Sequence, residues 1–121
     1  MNSYQMGPIE SRFADIIWTH EPLSSSQLAA YSLAELGWKK TTSYTVLRRL
    51  CDKDLFQNEN GTVTSRISKR DYAAMQSERF VDEAFSGSLP AFLAAFTTRR
   101  RLTADEAAQL RALVEQYEED S

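Results

Sequence analysis

Apolar residues recur at Ile9, Phe13, Ile16 and Ile17, a spacing of i, i+4, i+7 and i+8 that gathers them on one stripe of a helix, with Trp18 extending it. Pro8 suits the first turn of that helix. His20, Glu21 and Pro22 end it, because proline cannot continue the hydrogen-bond ladder. Ser24 and Gln27 stand at capping-box spacing and open a second helix. Its buried side is expected from Leu28, Tyr31 and Leu36, and Gly37 is its C-terminal cap. A short connection through Trp38, Lys39 and Lys40 leads to a third helix, TTSYTVLRRLCDKDL, with Thr41 or Thr42 as its cap. Val46, Leu47 and Leu50 face inward in this reading, with Ser43 and Asp54 on the same side. Thr41, Tyr44, Thr45 and Arg48, three and four residues apart, then share the outward side.

After Leu55 the period changes. Phe56–Glu59 and residues 62–67 flank an Asn60-Gly61 pair, the signature of a two-residue hairpin turn whose positions both need positive φ. Helical patterning then resumes over residues 70–86, with Tyr72, Met75, Phe80, Ala84 and Phe85. Beyond Gly87 a further piece carries Leu89, Phe92, Leu93 and Phe96, and an Arg99-Arg100-Arg101 patch follows it. Thr103 and Glu106 form a second capping box, ahead of Ala107, Leu110, Leu113, Val114 and Tyr117 at alternating three-and-four spacing. The fold class is therefore mainly α with a small β-hairpin wing. Residues 1–70 read as a winged helix-turn-helix domain and residues 71–121 as a helical arm. Short amphipathic helices after a complete small domain need a partner for their apolar faces, and a second copy of the arm supplies one. The dimerisation set is Phe80, Phe85, Leu89, Phe92, Leu93, Phe96, Leu110, Leu113, Val114 and Tyr117.

Charge sharpens this picture. The 121-residue chain carries a net −3, which by itself argues against nucleic acid. Residues 39–70, however, hold eight basic and three acidic side chains, and residues 71–121 hold five basic and ten acidic ones. A basic segment thus joins an acidic one, as expected where one part meets DNA and the other does not. The single cysteine, Cys51, can form neither an internal disulfide nor a multi-cysteine zinc site. No apolar run is long enough for a membrane span, and the first ten residues lack the features of a secretory signal. These features point to a cytoplasmic protein with no direct membrane association and no cofactor or metal.

The outward face of the third helix has the composition of a reading head. Short polar side chains approach base edges closely, and an arginine can fork onto guanine or phosphate. The expected DNA contacts are Lys40, Thr41, Thr42, Tyr44, Thr45, Arg48 and Arg49, with Arg66 and Lys69 on the wing side and Lys39 on the backbone. Arg49 falls at the edge of the face, where it either clamps phosphate or braces the fold. Catalysis is disfavoured, because the one histidine, His20, has only Glu21 beside it and no phosphate loop or nucleophile–base pair is present. Two alternatives keep the fold: a protein-interaction module without DNA binding, and a DNA-binding regulator released by a small molecule held among Phe80, Phe85, Phe92 and Phe96.

The recognition segment, the ENGTV hairpin, ISKRDYAAMQSERFVDEAFSGSLPAFLAAF and the closing LTADEAAQLRALVE together resemble the penicillinase and methicillin-resistance repressors, the BlaI/MecI/CopY type of winged-helix transcriptional regulator. The resemblance covers residues 9–118. It implies a homodimeric repressor on a palindromic operator of double-stranded DNA, controlling antibiotic-resistance or metal-handling genes. It also implies an upstream membrane sensor protease pathway that ends in cleavage of an Asn-Phe bond in the arm. The pair at that position here is Ala95-Phe96, with the Phe kept and the Asn replaced. Copper-responsive relatives carry paired Cys-x-Cys motifs, which one cysteine cannot supply. Ser43 stands where the family usually has an apolar residue, and Asp54 where it often has glycine.

Overall fold

The computed structural model describes the backbone of residues 5–120 and the side chains of residues 5–118. In chain order it contains α1 (Pro8–His20), β1 (Leu23–Ser24), α2 (Ser25–Leu36), α3 (Lys40–Asp52), β2 (Phe56–Glu59), β3 (Thr62–Ser65), α4 (Lys69–Phe85), α5 (Leu89–Arg99) and α6 (Ala104–Asp120). Two units result, residues 1–76 and residues 77–121, and the division falls inside α4. The architecture is a winged helix with C-terminal helices.

In the first unit the core is built from the stripe of α1, the inward side of α3 and the hairpin. Phe13, Ile17, Leu28, Leu50, Leu55, Phe56 and Val63 are essentially sealed from solvent. Burying side chains of this size contributes about 1.5–3 kcal/mol each before chain entropy is set against it. Trp38 stacks on Phe13 at 5.2 Å between ring centroids. Trp18 leans on Phe56 and Tyr72, and its indole N–H donates to the Ile67 carbonyl at 3.0 Å. Ile9 and Tyr31 depart from the expected pattern. Ile9 is half exposed at the first turn of α1, and the Tyr31 ring stacks on His20 at the surface.

The second helix begins as its sequence predicts. Ser24 Oγ accepts from the Gln27 N–H, the Gln27 side chain accepts from the Ser24 N–H, and Gly37 caps the other end at φ +71°. For α3 the expected threonine cap is replaced. The helix starts at Lys40 with Lys39 at the N-cap and no side-chain hydrogen bond there. Asp54 also differs from expectation. It lies beyond the helix end, exposed, at φ +62°. Ser43 does face inward, and its hydroxyl is buried without a hydrogen-bond partner.

The hairpin closes through Asn60 (φ +54°) and Gly61 (φ +89°), the two positive-φ positions of a type I′ turn. Its strands pair with Asn58 opposite Val63 and Glu59 opposite Thr62. A third strand, β1, escapes the sequence pattern because two residues have no period. It adds antiparallel to β3 with Leu23 opposite Val63, giving the order β1-β3-β2. The Ser25 N–H donates to the Gly61 carbonyl at 2.8 Å, tying the hairpin tip to the start of α2. At the hairpin root the Glu21 carboxylate accepts from the Ser65 backbone N–H and from its hydroxyl, at 2.8–2.9 Å.

The second unit contains the end of α4 with α5 and α6. Thr103 and Glu106 cap α6 reciprocally at 3.0 Å, and Ser88 caps α5. Phe80, Phe85 and Phe92 meet one another at 5.6–6.1 Å, and Phe92 meets Phe96 at 6.0 Å. Among its described residues none is buried. At its C-terminal end Glu115 and Glu118 are exposed, and the side chains of Glu119 and Asp120 lie outside the described residues.

Candidate nucleic-acid interface

The face of α3 that the core leaves free follows from the positions it buries. Ser43, Val46, Leu47 and Leu50 occupy one side. A helix turns 100° per residue, so Thr41, Tyr44, Thr45 and Arg48 collect on the other, and all four are exposed. Thr42 and Arg49 are exposed at one edge of this face and Lys40 at the other. The Lys40 ammonium sits 5.7 Å from the centre of the Tyr44 ring. A cleft of about 400 Å³ lies between α3 and the hairpin, lined by Ser25, Tyr44, Leu47, Arg48, Cys51 and Asn58.

Ion pairing separates the basic residues into two groups. The Arg49 guanidinium lies 3.6 Å from Glu10, and Lys53 lies 3.8 Å from the same carboxylate, so Glu10 ties α3 to α1. Arg66 faces Asp54 at 3.8 Å, and Lys69 faces Asp15 at 2.8 Å. Both of these stand at the root of the hairpin, not at its tip. Among the described residues no carboxylate comes within ion-pair distance of Arg48, Lys39 or Lys40. Exposed pairs are worth at most about 1 kcal/mol, so a phosphate can compete for Arg66 and Lys69. Arg48 needs no such exchange.

Sequence reasoning overlooked three acidic residues that shape this surface. Glu10 braces Arg49, and Glu21 fixes the hairpin root. Asp52 falls four residues after Arg48 on the same exposed line of α3, which the helical period alone would have placed there. Cys51 is half-buried, and burial, with Asp52 beside it, raises its thiol pKa above the usual value. It is therefore protonated and sluggish at neutral pH. Among the described residues no group of three His, Cys, Asp or Glu side chains is placed to hold a metal ion, and no helix is long and apolar enough to cross a membrane.

The residues expected in dimerisation lie together in the second unit. Phe80, Leu89, Phe96, Leu113, Val114 and Tyr117 are exposed, and Phe85, Phe92, Leu93 and Leu110 are half-buried. A groove of about 360 Å³ runs between α5 and α6, lined mainly by Phe92, Leu93, Phe96, Leu102, Leu110 and Leu113. The Ala95-Phe96 bond is inside α5, and both residues are exposed.

Three helices and a hairpin, with the third helix showing an uncovered polar face and further helices following in the chain, define the class: a winged-helix transcriptional regulator. Residues 6–116 match the profile of the penicillinase repressor family. The chain is also 24% identical over 117 residues to the penicillinase repressor of Bacillus licheniformis, an alignment covering 93% of this chain and 91% of that protein. The chain belongs to the penicillinase repressor family, whose members are transcriptional repressors and not a class of enzyme.

Proposed function

We propose that the protein is a homodimeric repressor that inserts α3 of each subunit into successive major grooves of a palindromic operator and blocks transcription by occlusion, without catalysing a reaction. The carrying observation is the uncovered line Thr41–Thr45–Arg48 with Tyr44 beside it. Two-fold symmetry places the half-sites about 10 base pairs apart, or a multiple of that. Arg48 and Thr45 discriminate bases, and Lys39 and Lys40 hold phosphates. Arg66 and Lys69 join them after exchanging Asp54 and Asp15 for the DNA backbone, while Arg49 stays with Glu10 and positions the helix.

Dimerisation is supported by the second unit, where large apolar side chains remain exposed and none of the described residues is buried. The α5–α6 groove suits an apolar helix face of a second copy better than a small inducer, since it is open and mostly apolar, with only Glu106 and Gln109 as polar lining. Control of resistance-type genes is the reading that the name of the Bacillus licheniformis relative, a penicillinase repressor, supports. Arg48→Ala is expected to weaken operator binding by about 1–3 kcal/mol and to relax preference at one base pair. Unchanged affinity and preference in a salt-titrated mobility shift would refute the reading face. Leu110→Glu is expected to give monomers in sedimentation with poor operator affinity, and a persistent dimer would move the interface elsewhere.

A further inference from the structure

We propose that Thr45 reads its base pair through its methyl group and not its hydroxyl, and so selects thymine. The inference rests on the reading of α3 as the recognition helix. The Thr45 hydroxyl donates to the Thr41 carbonyl at 2.9 Å. A hydroxyl has one proton to give, so this side chain has no donor left for a base edge. Because a β-branched side chain in a helix has few rotamers, holding Oγ1 against the preceding turn also fixes Cγ2. Thr45 is exposed, so its methyl is presented in a fixed position while its hydroxyl proton stays engaged with the Thr41 carbonyl.

Among the four base pairs only those containing thymine show a methyl in the major groove, and the remaining features are hydrogen-bond donors and acceptors. A methyl set against a methyl removes both from water and rejects a base edge that would lose its hydration there. Arg48, the next residue along the same line, is its chemical opposite. It has five N–H donors and, among the described residues, no carboxylate partner, which suits the paired acceptors of guanine. The line thus combines one apolar reader with one polar reader. Arg49, one position away, differs because Glu10 already holds its guanidinium.

Selection by the full-length protein from a random pool of double-stranded DNA supplies the duplex for the test. Failure to enrich any sequence would refute the DNA-binding reading itself, separately from the role of Thr45. In the enriched duplex each thymine of one half-site is replaced in turn by deoxyuridine, which deletes the methyl alone. The wild type is expected to lose about fourfold in affinity at one position, the worth of one methyl returned to water. Thr45→Val, which keeps the methyl, should show the same fourfold loss on uracil at that position. Thr45→Ser should start about fourfold weaker and be indifferent to uracil at that position. A wild type insensitive to uracil throughout, or a preference that survives in Thr45→Ser and vanishes in Thr45→Val, would overturn the proposal.

Discussion

Ser43 and Asp54 are the two residues of the first unit whose chemistry fits their places least well. Ser43 puts a hydroxyl into the core beneath α3 and finds no partner for it. A buried polar group left unsatisfied costs about 1–3 kcal/mol, and alanine is also the better helix former. Ser43→Ala is therefore expected to raise stability by about 1 kcal/mol in denaturant unfolding, with DNA affinity unchanged because the residue is on the opposite side from Arg48. Asp54 holds a left-handed conformation that ordinary side chains enter at a cost of about 1–2 kcal/mol, and its pair with Arg66 is exposed on both sides. Strain outweighs charge here. Asp54→Ala is expected to destabilise by about 1 kcal/mol, whereas Asp54→Asn, which removes the ion pair but tolerates the conformation, should stay near wild type; the same unfolding measurement compares them. The reverse order would mean that the ion pair matters more than the backbone conformation.

At the scale of elements, what matters is how the hairpin and α3 are held in a common frame. The Gly61 carbonyl accepts from Ser25 at the hairpin tip, and Glu21 holds Ser65 at the root. Hydrogen bonds to a charged acceptor contribute about 1.5–3 kcal/mol. Glu21→Ala is expected to cost about 2 kcal/mol and to speed amide exchange across Thr62–Ser65 ahead of α3; uniform protection would show that the strand pairing suffices without it. The start of α6 is held by a different carboxylate. Donation from the Thr103 backbone N–H, helped by Arg100, keeps the Glu106 carboxyl below the usual carboxylate range. A depressed folded value means the cap is fully effective above the ordinary carboxylate range and is lost as pH falls through the folded value. Helix content of the arm is accordingly expected to drop on acidification below that range in the wild type and much less in Glu106→Gln, as read by circular dichroism.

Across the whole molecule the two units differ in what stabilises them. Residues 1–76 contain a sealed core, while residues 77–118 have none of their side chains buried. If a second copy covers this unit, as proposed, association contributes to its stability and its melting depends on protein concentration. In thermal scans over a hundredfold range of concentration, an arm transition is expected to move upward while that of the first unit moves less. A concentration-independent arm would contradict the dimer proposal. The charge division has the same sense, with the basic residues gathered in the segment that includes α3 and the acidic excess in the arm.

Local order was largely legible in the sequence. The stripes of α1 and α3, the Ser24 and Thr103 capping boxes, the Gly37 cap and the Asn60-Gly61 turn depend on neighbours within a few residues, so period and residue type suffice to place them. The exposed line Thr41–Thr45–Arg48 followed from that same periodicity. Tertiary structure alone decided the strand Leu23–Ser24, the surface positions of Ile9 and Tyr31, and which basic residues already have an acidic partner. Each of these depends on groups distant in the chain coming within a few ångströms. A sequence pattern records which side of an element is apolar, but only packing determines what that side, and the charges around it, will meet.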